Sequence, residues 1–283
     1  MTKPILRFAP SPNGYLHLGH AYSAFFTWSR AKALNAEVLL RIEDIDTGRC
    51  RPEYVQQIYD DLTWLGLKWF ETSQNPVRIQ SQHFDDYRAA TTRLSQLGLL
   101  YKCFCTRKQV IAASNGQKDP DGAARYGLTC KNLSETDVQA QEKHGKAFAL
   151  RLDMDKAIEH MHATGKTNLL KECTKYANLH SWGDIVLVRK DTPTSYHLSV
   201  VVDDAKQNIT HVTRGMDMFP STAIHILLQS LLNLPTPKYE HHKLIKDPTG
   251  RKLAKSLRDR SIKAMREEGM SADAIKRQLG LME

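Results

Sequence analysis

The stretch that decides the fold is residues 5–20, which read ILRFAPSPNGYLHLGH. It begins with an apolar run, passes through a turn rich in proline and glycine, and ends with His17 and His20 before the segment AYSAFFTWSRAKAL, residues 21–34. This order predicts a buried strand over residues 5–9, then a turn, then a helix. Histidines three residues apart share one face of a helix, which is a spacing of zinc ligands, so the stretch alone leaves metal binding open.

A second apolar run follows the helix and favours a parallel sheet. Residues 37–44, EVLLRIED, predict a strand that ends in acidic residues. A parallel α/β sheet begins in this order, with a strand, a glycine-bearing turn, a helix and a second strand. Such sheets bind ligands at the carboxyl ends of their strands. Further along, helices are predicted over residues 53–66, 83–100 and 221–234, and strands over residues 183–190, 196–205 and 209–215.

The charge balance raises the expectation of a polyanionic partner. The 283 residues carry 40 Lys and Arg against 31 Asp and Glu, a formal net charge of +9. Many of the basic residues lie in the tail, residues 243–266, although an enzyme with a basic surface has the same composition. No apolar run approaches the roughly 20 residues of a membrane span and no secretory signal is recognisable, so we expect a cytoplasmic protein without a membrane partner.

The tail contains GRKLAKS, residues 250–256, a glycine turn that carries Lys252 and Lys255. A flexible loop with two cations is suited to neutralising the phosphates of ATP as charge builds in a transition state. Taken alone, the loop is better interpreted as a solvated basic turn, and the histidine stretch as a capped helix start.

The two elements together resemble a known family. PSPNGYLHLGH, residues 10–20, and KLAKS, residues 252–256, are similar to the HIGH and KMSKS signatures of class I aminoacyl-tRNA synthetases. RFAPSPNGYLHLGH together with LLRIEDID, residues 39–46, resembles the glutamyl branch of that family. In such enzymes the carboxylate of an amino acid attacks the α-phosphorus of ATP and pyrophosphate leaves, so the protein mainly positions reactants and stabilises phosphate charge.

The resemblance implies an α/β fold of the class I synthetase type. This fold is a Rossmann-type parallel sheet with an inserted α+β subdomain that bears zinc, and with a short helical C-terminal region that contacts the RNA stem. The expected domains are residues 1–100 and 194–240 for the two halves of the catalytic domain, 101–193 for the insertion, and 241–283 for the KMSKS-like loop and the C-terminal helices.

The resemblance also transfers roles to single residues. It makes the two histidines phosphate ligands rather than metal ligands, and Mg²⁺ is expected to accompany ATP. Glutamate carries two carboxylates and an ammonium group, so two arginines and a glutamate are complementary to it, although a structural salt bridge remains the other interpretation of each arginine. Asp203 and Asp204 could orient ribose or cap a helix. The implied catalytic residues are His17, His20, Lys252 and Lys255, the ATP ligands are His17, Gly19, His20 and Lys255, and the glutamate ligands are Arg7, Ala9, Ser11, Glu43, Tyr196 and Arg214.

The five cysteines argue for reduced thiols and a metal rather than for a disulfide framework. Residues 114–134 have no clear period and resemble an insertion that something other than an apolar core holds together. One structural Zn²⁺ is expected there, because three thiolates and a phenol oxygen could complete a tetrahedral site; His144 or another residue is an alternative fourth ligand. The expected ligands are Cys103, Cys105, Tyr126 and Cys130, whereas Cys50 and Cys173 are interpreted as core thiols.

Only residues 257–283 follow the KLAKS stretch, which leaves room for about two helices and no anticodon-binding domain. The chain therefore resembles the truncated glutamyl-Q-tRNA(Asp) synthetase branch of the family. The resemblance implies activation of L-glutamate by ATP without tRNA, followed by transfer of glutamate to queuosine in the anticodon of tRNA(Asp), by a monomer. The alternatives are a minimal glutamyl-tRNA synthetase that charges a tRNA 3′ end and a non-catalytic paralogue that binds tRNA or zinc.

Overall fold

The computed structural model describes residues 3–73, 75–245 and 260–282. The chain forms two compact units. The first comprises Met1–Gln82, Asn208–Met216 and Pro237–Glu283, and the second comprises His83–Gln207 and Asp217–Thr236. The predicted insertion, residues 101–193, lies wholly in the second unit.

The strands and helices follow one another in an α/β order. The strands are β1 (Ile5–Phe8), β2 (Glu37–Ile42), β3 (Arg78–Ile79), β4 (Leu100–Cys103), β5 (Ala149–Leu152), β6 (Val186–Val188), β7 (His211–Gly215) and β8 (Lys238–His242). The helices are α1 (Leu18–Leu34), α2 (Pro52–Trp64), α3 (Phe84–Gln96), α4 (Arg107–Ala113), α5 (Glu135–Lys143), α6 (Met154–Ala163), α7 (Thr167–Thr174), α8 (Leu179–Trp182), α9 (Tyr196–Lys206), α10 (Ser221–Leu231), α11 (Ile262–Glu267) and α12 (Ala272–Gln278).

The first unit contains the parallel strands that the sequence predicts. Strands β1, β2 and β3 form a parallel sheet in that order, with Ile5 opposite Glu37, and β7 pairs in parallel with β8. The second pair lies alongside β1, because the Thr210 amide donates to the Ile5 carbonyl at 2.9 Å. Buried side chains of α11 and α12 share one apolar core with β1 and β2. The C-terminal helices are therefore an integral part of this unit.

The second unit is built on the antiparallel sheet β4-β5-β6. Helix α10 is buried along its whole length and packs against α7 and α9. Residues 114–134 form turns and an isolated bridge rather than a helix or strand, which agrees with the absence of a period in their sequence.

One predicted element is wrong. Residues 196–205, predicted as a strand, form helix α9. Every residue from Leu198 to Asp204 is buried, so the helix has no polar stripe from which its period could be recognised. A short apolar run buried on all sides cannot be assigned to strand or helix by periodicity.

No helix within the described ranges combines the length and the apolar character that crossing a membrane requires.

Candidate functional site

The histidine stretch forms the N-terminus of α1. His17 is the N-cap residue, and its Nδ1 accepts a hydrogen bond from the Gly19 amide at 3.0 Å. The His17 amide in turn donates to Nδ1 of His20 at 3.2 Å, which completes a capping box. Because both Nδ1 atoms accept from backbone amides, the neutral rings carry their protons on Nε2. The turn therefore presents two Nε2–H donors at the positive end of a helix dipole, which is an environment suited to an anion.

Gly19 is required at this turn by close packing. A Cβ atom at this position would lie 2.9 Å from Cε1 and 3.1 Å from Nδ1 of His17. A larger residue at position 19 would displace the His17 ring from its capping position.

The chain returns to the histidine turn after the KLAKS stretch. The Ile262 amide donates to the Leu16 carbonyl at 2.8 Å, and Ser261 forms an antiparallel bridge with His17. The predicted phosphate ligands Lys252 and Lys255 lie outside the described residues. The segment that follows them in sequence is hydrogen-bonded to the histidine turn.

Three of the predicted glutamate ligands lie at the carboxyl ends of strands in the first unit. Arg7 is on β1, Glu43 follows β2, and Arg214 is near the end of β7. All three are at least nine-tenths buried. Arg7 Nη1 donates to the carbonyl of Thr213, the residue before Arg214, at 3.3 Å. These ends are where parallel α/β sheets bind ligands.

Each of these charged groups also has a contact within the fold. Glu43 Oε1 lies 3.4 Å from Nε of Arg41, a fully buried arginine that sequence reasoning missed. Arg214 Nε donates to His241 Nε2 at 3.2 Å, and its guanidinium lies 4.9 Å from the centre of the Tyr239 ring. The predicted ligands Ala9 and Ser11 belong to the turn after β1, where the Pro10 carbonyl accepts from the Glu43 amide at 3.1 Å.

Tyr196 and Asp203 belong to the second unit. Tyr196 is the first residue of α9. Asp203 lies in the last turn of the same helix, where its fully buried carboxylate accepts hydrogen bonds from the Tyr87 hydroxyl, with both oxygens at 3.0 Å. Asp203 therefore joins α9 to α3. It does not cap the helix, because the unsatisfied groups at that end are carbonyls.

The predicted zinc ligands converge. Within the described residues, Cys103, Cys105 and Cys130 form the one group of three or more potential metal ligands, with sulfur atoms within 4.8 Å of one another. The Tyr126 Oη atom lies 3.4 Å from Sγ of Cys103 and 3.9 Å from Sγ of Cys105. Tetrahedral zinc with Zn–S bonds of 2.3 Å requires sulfur separations of about 3.8 Å, so the arrangement fits the metal. His144, the alternative fourth ligand, is not part of this group.

The surroundings of the cluster alter the acidity of its groups. Burial opposes ionisation of Cys103, but hydrogen bonds from Tyr126 and Arg151 outweigh it and lower the pKa of this thiol. Burial and the neighbouring Cys130 and Cys103 raise the pKa of Cys105 to about 11. Burial also raises the pKa of Tyr126, whose oxygen accepts from the Cys130 amide at 2.7 Å. A bound cation would displace these protons, so metal binding is coupled to proton release.

Arg151 is a residue of this cluster that the sequence did not reveal. Its guanidinium carbon lies 3.7 Å from the centre of the Tyr126 ring, and Nη1 donates to the Asp184 carbonyl at 2.7 Å. In sequence, Arg151 stands out only as a charged residue within the apolar strand ALRL, residues 149–152, which does not indicate its contact with Tyr126.

The other two cysteines lie elsewhere. Cys173 is fully buried in α7, and burial raises its pKa to about 12, which confirms a core thiol. Cys50 is only partly buried, so its assignment to the core is wrong.

Comparisons with known proteins agree on one family of enzymes. The family described as class I tRNA synthetases (E and Q), catalytic domain, matches residues 5–282. A glutamyl-Q tRNA(Asp) synthetase of Rhodobacter capsulatus is 43% identical over 98% of this chain and 100% of its own length. A glutamate–tRNA ligase of Aquifex aeolicus is 36% identical over 97% of this chain, which spans 56% of that protein.

Solved structures have the same fold. The crystal structure of a glutamate–tRNA synthetase from Elizabethkingia anophelis superposes with a TM-score of 0.71 at 26% identity, covering 95% of this chain and 54% of that one. A methionyl-tRNA synthetase of Mycobacterium tuberculosis, at 13% identity and a TM-score of 0.60 over 99% of this chain and 64% of its own, shares the fold alone.

Proposed function

Since this chain belongs to the family of class I tRNA synthetases of the E and Q type, we propose that it activates L-glutamate with ATP and transfers it to queuosine in the anticodon of tRNA(Asp). The activation step requires no tRNA. The observation that carries the proposal is the 43% identity to a glutamyl-Q tRNA(Asp) synthetase along that protein's full length, against 36% to the glutamate–tRNA ligase of Aquifex aeolicus. The α/β fold and the synthetase class that the sequence predicts agree with the family match.

The activation step requires positive charge around ATP. The glutamate carboxylate attacks the α-phosphorus in line, and pyrophosphate leaves. His17 and His20 donate from Nε2 to phosphate oxygens at the start of α1, where the helix dipole adds to the attraction. Lys252 and Lys255 contact the phosphates from their own loop, and Mg²⁺ enters bound to ATP. Pairing of Ser261 and Ile262 with His17 and Leu16 supports this role, because it ties the chain beyond that loop to the histidine turn.

Recognition of glutamate requires complementary charges. Arg7 and Arg214 bind the carboxylates, and Glu43 binds the ammonium group. Ser11, the backbone at Ala9 and Tyr196 are the remaining ligands that the resemblance to the family implies. The position of the three charged side chains supports this assignment, because they lie at the carboxyl ends of β1, β2 and β7, where parallel α/β sheets bind ligands.

Zinc has a structural role in this proposal. Cys103, Cys105, Tyr126 and Cys130 hold one Zn²⁺, which organises an insertion whose own apolar cluster contains few residues. The metal supplies folding energy to the insertion and takes no part in the transfer of glutamate.

The RNA substrate is an anticodon loop. Single-stranded loops expose bases that a protein can bind, and the net charge of +9 favours association with RNA. A hydroxyl of the modified base attacks the acyl carbonyl of glutamyl-adenylate, an ester forms and AMP leaves. We further propose that the enzyme is a cytoplasmic protein and acts as a monomer. Light scattering of the purified protein tests its oligomeric state.

Two assays with labelled glutamate test the function. We expect glutamate-dependent ATP–pyrophosphate exchange without tRNA, and then label that nuclease digestion recovers in the anticodon fragment of queuosine-containing tRNA(Asp). The same tRNA lacking queuosine is the matched control and should remain unlabelled. Label on a terminal adenosine would instead identify a minimal glutamyl-tRNA synthetase, and the absence of exchange by zinc-loaded protein would identify a non-catalytic paralogue.

A further inference from the structure

A small hairpin in the second unit connects the metal cluster with the helix that begins with Tyr196. Residues 117–125 form this hairpin: the Arg125 amide donates to the Gln117 carbonyl at 3.0 Å, and the Asp119 amide donates to the Ala123 carbonyl at 2.8 Å. Asp119 Oδ1 accepts from the amides of Asp121 and Ala123 at 3.0 and 2.9 Å, which fixes the turn at the tip. Tyr126, a predicted zinc ligand, follows the hairpin directly in sequence.

Asp121, at the tip of this hairpin, contacts the first turns of two helices. The Ser221 hydroxyl lies 2.9 and 3.0 Å from its two carboxylate oxygens, and Ser221 is the first residue of α10. Asp121 Oδ2 also lies 3.9 Å from Nε2 of His197, the second residue of α9. Neither helix has a side-chain hydrogen bond from its own N-cap residue or an acidic residue in its first turn. The carboxylate of Asp121 thus supplies from another segment the negative charge that both helix dipoles favour.

The contact continues from Asp121 to Tyr196. Nδ1 of His197 lies 3.2 Å from Nε2 of His225, which is 1% exposed. A carboxylate facing Nε2 of His197 favours a proton on that nitrogen, which leaves Nδ1 to accept from His225. The Tyr196 ring packs against both imidazoles, with its centre 5.6 Å from each. The position of the Tyr196 ring therefore depends on two histidines, of which one faces Asp121.

We propose that Asp121 is a positioning residue for glutamate binding, which holds the start of α9, and with it Tyr196, from the metal-bearing insertion. This inference rests on the proposed function for the role of Tyr196. Asp121 itself touches no substrate. It acts through Ser221 and His197, so its removal should weaken glutamate binding more than it slows the chemical step.

The test compares Asp121→Ala and Asp121→Asn with Asp85→Asn, an exposed aspartate of the same unit whose side chain pairs with Arg88, three residues along the same helix. For Asp121→Ala we expect a roughly tenfold rise in the KM for glutamate in pyrophosphate exchange, with kcat and the KM for ATP changed less than about twofold. Asp121→Asn can still accept from Ser221 and should lie between this variant and the wild type. Asp85→Asn should match the wild type.

A second measurement separates positioning from a general structural effect. In a Tyr196→Ala background, Asp121→Ala should not raise the KM for glutamate further, because the residue through which it acts is gone. Amide hydrogen exchange over residues 196–200 should be faster in Asp121→Ala whether or not the protein is active.

Three results would overturn the inference. The first is that Asp121→Ala leaves both the amide hydrogen exchange of residues 196–200 and the KM for glutamate unchanged, and the second is an equal rise of this KM in the Tyr196→Ala background. The third is a lower kcat, a rise of both KM values and a lower thermal stability together, since that pattern is an effect on folding. Failure of the proposed function has a different signature, because the wild-type protein itself would then lack glutamate-dependent exchange.

Discussion

His17 and His20 cap the same helix through each other's backbone: His20 Nδ1 accepts from the His17 amide at 3.2 Å while His17 Nδ1 accepts from the Gly19 amide. Their ring centres lie 3.9 Å apart. The Nδ1 atoms thus stabilise the helix start, whereas the proposed contacts with phosphate use the Nε2 atoms. Capping and ligand binding are consequently separable by substitution.

His20→Gln should separate these two roles. Glutamine is a common residue at this position of a capping box and can reach back to the His17 amide, so the melting temperature should change little. The imidazole donor is lost, and we expect pyrophosphate exchange to fall by roughly a hundredfold. His20→Ala is the comparison, since it should lose the same activity and also about 1 kcal/mol of stability. Equal activity of His20→Gln and the wild type would exclude His20 as a phosphate ligand.

Much of this architecture could be predicted because the patterns are local. The strand over residues 5–8, the helix after it and the strand from residue 37 agree with prediction, since apolar runs and turns mark them. Helix α1 begins at Leu18 rather than near residue 21, because its N-cap residue is His17, and histidine is not among the residues that usually mark a helix start. Burial on all sides hid α9, as described above.

The candidate sites differ in how far they can be predicted from the sequence. The cysteine cluster could be predicted because metal ligands are few and chemically distinctive. Contacts such as Arg151 over Tyr126, or Asp121 with Ser221, join positions far apart in sequence through side-chain geometry that one sequence does not encode in any local pattern.

Cys103→Ser should remove the metal. Loss of one of three thiolates leaves an incomplete tetrahedral site, so we expect zinc content to fall from about one per chain to a small fraction, with a lower melting temperature. Elemental analysis and thermal unfolding measure the two effects. Cys50→Ser is the matched control, because Cys50 lies outside the cluster and should leave both values unchanged. Metal-free wild-type protein of full stability would refute a structural zinc.

Arg151→Met should make the cluster less acidic. The guanidinium helps to hold the pKa of Cys103 below its usual range, and methionine fills similar space without charge. We expect the pH at which Cys103 of the metal-free protein reacts with iodoacetamide at half-maximal rate to rise, and zinc affinity at neutral pH to fall by roughly tenfold. Arg151→Lys should restore part of both effects. An unchanged pH profile would show that Arg151 serves packing alone.

Arg214→Ala should weaken glutamate binding selectively. If Arg214 pairs with a carboxylate of the substrate, its loss should raise the KM for glutamate by roughly tenfold to a hundredfold and leave the KM for ATP nearly constant. Arg30→Ala is the control, because Arg30 forms a half-exposed ion pair with Glu240 in the same unit. Arg214→Lys should recover little, since an ammonium group cannot reproduce a bidentate contact. An equal rise in both KM values would point to a disturbed fold instead.

Ionisation of the buried Asp61 carboxyl group should make the protein less stable as the pH rises. Its carboxyl group is fully buried on α2, where Gln57 donates to Oδ1 at 2.7 Å, and burial raises its pKa from 3.8 to about 6. The folded protein therefore holds this proton more tightly than the unfolded chain. The resulting contribution to the free energy of unfolding is complete below about pH 4 and is lost as the pH rises through about 6.

Asp61→Asn stays neutral at every pH and retains an acceptor for Gln57. At pH 7.5 we expect its free energy of unfolding to exceed that of the wild type by roughly 2 kcal/mol, and at pH 4 to differ little. If the gain of Asp61→Asn were equal at both pH values, it would arise from packing rather than from the ionisation of a buried acid.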